Sequence, residues 1–362
     1  MKLQDIKELA HLSIVDYSSK DVTSKILLSY TESSVKRLYS CMDAIGILSE
    51  KNKFVLFPDY TFSKNDYRIK AGITNGTLIK FDTLGVPFIP LEFRPNCCGV
   101  IWGRINNLAY DQMTIQKMFQ KITTSHSCVV STTDFSRGNH FLGIYKCKAT
   151  GLYYVVMHCS FDFVKRGSPN APGLYIERTN HWNHMIKKID SISYLIDDAA
   201  VDYYNSYIQH ELNTKQLREE IVRYLFPDIE ILGNETHEGF FDISTLIYGV
   251  YANNKSFSIP ILNAPHTDLP VIEIDKKMNE IDLFCSPHGG GYSLINVNDG
   301  GFDENYNGFT ISFKNNCKMV VSDIRALESQ FRINTAQVWC DQYHFGIKKS
   351  QLSTIFNLKM NV

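Results

Sequence analysis

The stretch STTDFSRGNHFLGIYKCKATGLYYVVMHCS, residues 131–160, governs the interpretation of the whole chain. Its apolar runs on either side of Thr150 and Gly151 predict two strands joined by a turn. His140 stands directly before the first run, and His158 stands near the end of the second. Two histidines placed in this way either pack in the hydrophobic core or bind a metal from two sides.

Length and composition indicate an ordinary globular protein of mixed structure. The chain has 362 residues, of which 44% are hydrophobic and 21% charged. Its 20 tyrosines and 22 phenylalanines suit a core that is rich in sheet. A net charge of −1 argues against a protein that coats nucleic acid, although it leaves room for a local basic groove.

Cysteine usage and hydropathy predict a soluble, cytoplasmic protein with no membrane partner. The nine cysteines are odd in number and irregularly spaced, which is unlike a disulfide framework. No C-x2-C pair is present, so a zinc finger or ribbon is not expected. No signal peptide and no apolar run long enough to cross a bilayer are found.

The order of the predicted elements favours one α+β domain over residues 1–362. Residues 1–48 read as a helical N-terminal extension, 111–123 as a helix, and 180–226 as a largely helical segment that Pro227 stops. Short apolar runs cut by Gly and Pro predict strands elsewhere. No repeat or clear linker divides the chain.

Five residues share one placement, a metal-ligand type at the end of an apolar run beside Gly or Pro. Strand ends are where rigid scaffolds present reactive groups. A thiolate with imidazoles suits zinc, manganese or iron. Each residue alone is more often an ordinary core residue, but the shared placement favours a site. The five are Cys98, His140, His158, His266 and His288.

Three other histidines are interpreted as surface residues. His181 and His184 stand three positions apart at what reads as a solvent-facing helix start. His237 precedes Glu238 in what reads as a polar turn.

Several of these motifs resemble, in the same order, those of the RtcB-type RNA ligases, from about residue 50 to at least 290. VLFPDYTFS resembles that family's MPD-x-H motif, and PFIPLEFRPNCCGVIWG the stretch that ends in its DIGCG metal loop. SRGNHFLGI is similar to GGGNHF-x-E, the most specific match. ILNAPHTDL resembles the HHNY strand. The resemblance implies a single RtcB-like α+β domain with mixed sheets around a metal-centred cleft, flanked by helices.

The resemblance also implies a reaction and a set of roles. The family seals RNA ends, from tRNA or other cleaved RNA, with GTP and manganese. Cys98 would bridge two divalent ions, His140 would bind one ion, and His158 and His266 the other. Asn139 would contact the guanine nucleotide. A histidine is guanylylated, the nucleotide passes to a 3′-phosphate end, and a 5′-hydroxyl then displaces it.

The chain departs from the family at positions that bear on the metal. Pro95 stands where the family has a metal-binding Asp, so either one or two Mn²⁺ ions are expected, with Asn96 or Cys97 as possible substitutes for the lost ligand. The stretch GLYYVVMHCSFDFVKRG resembles the family's strand that ends in HSGSRG, but SFDFVKRG follows His158 where the family has GSRG, so only Arg166 could supply the missing positive charge.

The nucleophile has two candidates. FCSPHGGGYS resembles the family's SHGAGR loop, which favours His288 and places Gly289, Gly290 and Gly291 where their amides can receive phosphate oxygens. Because His288 follows His266 more closely than the family's spacing, His344 in CDQYHFGIKK is the alternative, and loss of the nucleophile is the third possibility.

Three functions therefore stay open at this stage. The first is a divergent GTP- and Mn-dependent RNA ligase. The second is an enzyme of the same fold that kept the metal site but lost ligation, such as a phosphoesterase or a nucleotidyl-transfer enzyme with another acceptor. The third is a non-catalytic binder of RNA ends or nucleotides.

Overall fold

A computed structural model describes residues 3–61, 68, 73–109, 111–124, 140–263, 267–294, 305–306, 309–310, 312–314, 318–320, 329–331 and 334–358. Its helices are α1 Leu3–Leu12, α2 Val22–Ala44, α3 Gln112–Thr124, α4 Phe163–Arg166, α5 Asp198–Leu225 and α6 Thr335–Gln337. Single 3-10 turns span Leu91–Phe93 and Ile176–Arg178, and a π-helical turn spans Val338–Gln342.

The strands fill most of the remaining described chain. They are β1 Ile14–Asp16, β2 Lys53–Thr61, β3 Asn75–Lys80, β4 Phe88–Pro90, β5 Gly99–Ile105, β6 Phe141–Cys147, β7 Tyr153–Cys159, β8 Gly167–Ser168, β9 Ala171–Pro172, β10 Lys187–Ile189, β11 Ile192–Ile196, β12 Glu230–Thr236, β13 Glu238–Asp242, β14 Thr245–Tyr248, β15 Val250–Asn253, β16 Phe257–Pro260, β17 Leu269–Ile274, β18 Phe284–Pro287, β19 Tyr292–Leu294, β20 Asn305–Tyr306, β21 Phe309–Thr310, β22 Ser312–Lys314, β23 Lys318–Val320, β24 Ser329–Phe331 and β25 Ile347–Leu358.

The largest sheet has seven strands in the order β12-β5-β7-β6-β25-β17-β16, and every neighbouring pair in it is antiparallel. Its central strands β5, β6 and β7 are almost wholly buried. They read as near-continuous apolar runs because both of their faces pack on other elements. The predicted pair of strands around Thr150 and Gly151 is confirmed as β6 and β7.

A second sheet of five strands, β1-β2-β3-β14-β13, and a third of three strands, β10-β11-β4, complete the larger framework. Helix α2 packs on this part through the apolar cluster that includes Val35, Tyr39 and Met42. Asp21 caps that helix by accepting a hydrogen bond from the Ser24 amide. Strands β15 and β18 form a separate antiparallel pair.

The predicted α+β class is confirmed: helices and several sheets alternate along the chain. The finer expectation of an RtcB-like arrangement in a single domain over residues 1–362 stays a prediction. The helical interpretation of 1–48 and 111–123 is confirmed apart from the short strand β1. Among the described residues, no helix is long and apolar enough to cross a membrane.

The helical prediction for 180–226 is correct only in its second part. Helix α5 ends at Leu225, shortly before Pro227, as the sequence indicates. Ahead of it, β10 and β11 form a hairpin that extends the sheet edge at β4. The hairpin turns at Asp190, whose φ of 51° is a left-handed conformation that Asp tolerates. The run ISYLI is too short and too rich in β-branched and aromatic residues for a helix.

Candidate metal centre

Four adjacent strands of the seven-stranded sheet bring candidate ligands to one edge. In the registers, Thr236 of β12 lies opposite Gly99 of β5, and His158 of β7 lies opposite both Val100 of β5 and Phe141 of β6. Because the strands are antiparallel, β12 and β7 end where β5 and β6 begin. The residues at this edge are therefore, in sheet order, His237, Cys98, His158 and His140.

Three of these side chains form a compact donor group. The Sγ of Cys98 lies 3.3 Å from Nε2 of His140 and 3.1 Å from Nε2 of His158. All three donor atoms lie within 4.8 Å of one another. Ligand atoms about 2.0–2.3 Å from a tetrahedral zinc ion are roughly 3.3–3.6 Å apart. The two distances from Cys98 are thus close to those in a formed metal site, and the three side chains come together as predicted for Cys98, His140 and His158.

His237 extends the group, and its interpretation as a surface residue is wrong. Its Nε2 lies 3.2 Å from Nε2 of His158, and the residue is only 1% exposed. Burial, followed by the neighbouring His288, His158, Arg218 and His140, lowers the pKa of His237 well below its ordinary value. A neutral imidazole is the form that binds metals. The signal in the sequence was its position directly after a strand, which its polar neighbours obscured.

The loop before Cys98 is fixed by backbone hydrogen bonds. The Cys98 amide donates to Oδ1 of Asn96 at 2.8 Å, and its carbonyl accepts from the His237 amide at 2.9 Å. The Cys97 amide donates to the carbonyl of Glu238 at 3.0 Å, with φ of 55° at Cys97. This ladder sets the direction of the Cys98 side chain toward the imidazoles.

Asn96 and Cys97 were the two candidates to replace the ligand that Pro95 cannot supply. Neither belongs to the donor group of Cys98, His140 and His158. The Asn96 oxygen is taken by the Cys98 amide. Burial raises the pKa of the Cys97 thiol well above its ordinary value, so that sulfur stays protonated and is a poor ligand. Pro95 itself is buried and carries no donor. The donor group in the described chain consequently contains no carboxylate.

A second pair, His288 and Asp59, adjoins these imidazoles. His288 Nδ1 lies 2.7 Å from Oδ2 of Asp59, and the same oxygen accepts the Gly289 amide at 2.9 Å. The His288 ring centre lies 4.8 Å from that of His237 and 6.4 Å from that of His158. Asp59 lies within VLFPDYTFS, the stretch that resembles the MPD-x-H motif, although no role was predicted for it from the sequence.

Gly249 explains how His288 approaches so closely. Its amide donates to the His237 carbonyl at 2.8 Å, and its own carbonyl accepts from the His288 amide at 3.0 Å. Its φ is 63°, and a Cβ there would lie 2.8 Å from Cε1 and Nδ1 of His288. Only glycine satisfies both requirements. The Gly249 backbone therefore links the segment that carries His237 to the segment that carries His288, directly after β18.

The other predicted site residues are placed as follows. Asn139 and His266 lie outside the described residues, so their roles stay predictions. The amide of Gly289 is used by Asp59 and that of Gly291 by the Gly289 carbonyl, within a buried loop. His344 is exposed on the loop before β25. Arg166 is exposed and pairs with Asp162.

His181 and His184 are exposed, as expected. Tyr60 is buried, and its hydroxyl pairs with that of Thr31.

A scan against protein-family models finds no match for this chain, and a search of the curated proteins finds no similar sequence. The chemistry of the site therefore rests on its own donors. One thiol and neighbouring imidazoles suit zinc, iron, cobalt and related divalent ions better than manganese, which prefers oxygen ligands.

Proposed function

We propose that the protein is a divergent RNA ligase of the RtcB type. It would use GTP and a divalent metal, manganese in the family it resembles, to join a 3′-phosphate or 2′,3′-cyclic phosphate RNA end to a 5′-hydroxyl end. The observation that carries the proposal is the Asp59–His288 pair beside the Cys98 cluster. A histidine aimed by a carboxylate next to a metal centre is the arrangement that nucleotide transfer to a histidine needs.

Asp59 gives His288 one productive tautomer. Because Nδ1 donates to a carboxylate, the proton resides there and the lone pair is left on Nε2. Nε2 would attack the α-phosphorus of GTP: a P–N bond forms, the bond to the bridging oxygen breaks, and pyrophosphate leaves. Water would first open a 2′,3′-cyclic phosphate end at its 2′-oxygen. The 3′-phosphate of the RNA end would then take the guanylyl group as the P–N bond breaks, and the 5′-hydroxyl would displace GMP.

Cys98, His140, His158 and His237 would hold the metal. A divalent ion supplies Lewis-acid stabilisation of charge on the phosphate oxygens. The protein supplies the rest, since a rigid sheet edge fixes the ligands and the Gly249 turn fixes His288 against them.

The absence of a carboxylate from the described donor group favours one alternative. A centre with fewer ligands than the family's can keep one ion and lose ligation, leaving a metal-dependent phosphoesterase or a nucleotidyl-transfer enzyme with another acceptor. Under this alternative His288 is itself a metal ligand, with Asp59 as the carboxylate that orients it.

The test is incubation of the protein with α-labelled GTP and Mn²⁺, and in parallel Co²⁺ and Zn²⁺, followed by denaturing electrophoresis. Ligase chemistry gives an acid-labile, alkali-stable adduct, and added RNA with 3′-phosphate and 5′-hydroxyl ends discharges it into joined product. Protein that binds metal and GTP but never forms the adduct would exclude ligation through a guanylylated histidine.

A further inference from the structure

Arg218 contacts the residue before Cys98 and takes no part in the chemistry proposed above. It is on α5, is 0% exposed, and reaches from the helix to the loop that precedes β5. Its Nε donates to Oδ1 of Asn234 at 2.9 Å, and its Nη1 donates to the carbonyl of Cys97 at 3.1 Å. Asn234 is fixed in turn because its Nδ2 donates to the Lys215 carbonyl at 2.8 Å.

Burial of the Arg218 guanidinium requires a glycine beside it and carries a desolvation penalty. A Cβ on Gly99, the residue that follows Cys98, would lie 2.8 Å from Nη2 of Arg218. Burying a guanidinium carries a large desolvation penalty. Within the described chain, its hydrogen bonds go to neutral oxygens, and Nη2 has no hydrogen-bond partner. A buried methionine would fill the same space without the desolvation penalty. We therefore expect the N–H donors of Arg218 to have a role of their own.

The residue that Arg218 contacts has an unfavourable backbone conformation. Cys97 has φ of 55°, a left-handed value that is unfavourable for a residue with a side chain. Both of its backbone polar groups are tied, the amide to the Glu238 carbonyl and the carbonyl to Arg218. Rotation of Cys97 back to an ordinary conformation would break the Arg218 bond and turn Cys98 away from the imidazoles.

We propose that Arg218 is a positioning residue, which holds Cys97 in its left-handed conformation and thereby aims Cys98 at the metal. The inference rests on the proposed metal centre. It predicts that the metal affinity of the folded protein depends on Arg218 through the conformation of Cys97, and that relieving the strain at Cys97 removes the dependence.

The experiment measures Co²⁺ affinity by competition and the thiolate-to-cobalt charge-transfer absorbance in the intact chain. Arg218→Met should lower affinity by roughly 10–100-fold, as loss of outer-shell partners does, and weaken the charge-transfer band. Arg218→Lys, which keeps one donor, should lie between. Arg223→Met is the matched control, because Arg223 is on the same helix but 48% exposed and paired with Glu219.

The decisive arm is rescue at Cys97. Glycine adopts a positive φ freely and alanine does not, while both remove the buried thiol. Cys97→Gly in the Arg218→Met background should therefore bind Co²⁺ on the order of fivefold or more tightly than Cys97→Ala in that background. Equal affinity of the two double variants would overturn the inference. A purely structural role of Arg218 would change the unfolding temperature and leave the difference between Cys97→Gly and Cys97→Ala the same as it is with Arg218 present.

Two further outcomes are distinct. If the wild-type protein binds no Co²⁺, the metal centre itself is wrong. If wild-type and Arg218→Met bind equally well, the centre stands and the role of Arg218 is wrong. Should Arg218→Met fail to fold, Asn234→Ala takes its place, because it removes the acceptor that aligns the guanidinium and keeps the cation. Unchanged affinity in a folded Asn234→Ala protein would then count against the inference.

Discussion

One oxygen of Asp59 accepts two hydrogen bonds, from Nδ1 of His288 at 2.7 Å and from the amide of Gly289 at 2.9 Å. The carboxylate is 0% exposed and His288 is 3% exposed. Side chain and backbone of the loop are therefore held together by a single acceptor. The imidazole cannot rotate about its bonds without giving up a buried, charge-assisted contact, which fixes the ring beside those of His237 and His158.

Asp59→Asn should preserve the fold and the metal but slow adduct formation. The amide keeps the size of the side chain but accepts hydrogen bonds through its oxygen only and donates through its nitrogen, so the His288 tautomer is no longer dictated. We expect the rate of guanylylation to fall on the order of 100-fold or more, the range of general acid–base effects. Single-turnover labelling with GTP measures it. Asp282→Asn, at an exposed ion pair with Lys277, is the control and should leave the rate unchanged.

His288→Ala separates a nucleophile from a ligand. If His288 takes the nucleotide, the variant forms no adduct while its metal content equals that of the wild type. Metal loss together with adduct loss would instead make His288 a ligand. His344→Ala is the matched control, because His344 is exposed and should affect neither property. An adduct that survives His288→Ala and disappears in His344→Ala would refute the assignment.

Local sequence signals were sufficient for Cys98, His140 and His158 because each adjoins an apolar central strand. Strands β5, β6 and β7 are buried along most of their length, so their ends were visible as the ends of apolar runs. Their convergence follows from antiparallel pairing alone.

His237 and Arg218 were not predictable in the same way. β12 is an outer strand of the sheet and is mostly half-exposed or exposed, so no apolar run leads to His237. Its burial comes from pairing with Cys98 and from the Gly249 turn, both distant in sequence. Arg218 read as one charge among many on a helix, and the contact that gives it a role is made to Cys97.

His237→Ala should weaken metal binding more than a fold defect can explain. Loss of a ligand is expected to exceed the roughly 100-fold effect that removal of an outer-shell partner can reach. Isothermal titration with Zn²⁺ and Co²⁺ measures it. His210→Ala is a stringent control, since His210 is equally buried but bonds to the Pro172 carbonyl. Equal metal affinity in the two variants would show that His237 is not a ligand.

Pro95→Asp should raise the ratio of metal to chain. The missing carboxylate predicts nearer one ion than two in protein purified without chelator, and an oxygen ligand should favour Mn²⁺ most. Elemental analysis gives the ratio, and competition between Mn²⁺ and Zn²⁺ gives the preference. Pro95→Ala removes the proline without adding a ligand and should not change the ratio. Two tightly held ions in the unmutated protein would contradict the prediction.

The metal-free protein should lose stability in mild acid, chiefly because of His237. Its folded pKa lies well below the ordinary value, so near and below pH about 6.5 the unfolded chain binds a proton that the native chain excludes. Stability is thus complete above that pH and falls as pH drops toward the folded pKa, by up to about 1.4 kcal/mol per pH unit for this one group. Burial lowers the pKa of His210 as well, and it acts in the same direction.

Urea unfolding of chelator-treated protein between pH 8 and pH 5 tests this. In His237→Gln the side chain no longer titrates. The free energy of unfolding should therefore fall less steeply with decreasing pH, by the amount that His237 contributes, even if the variant is less stable at pH 8. His181→Gln, at an exposed position, should keep the wild-type slope. Saturating Zn²⁺ should steepen the loss in the wild type, because protons then compete with the ion for every imidazole ligand as well. A wild-type slope identical to that of His237→Gln in the metal-free state would mean that His237 is not buried as a neutral imidazole.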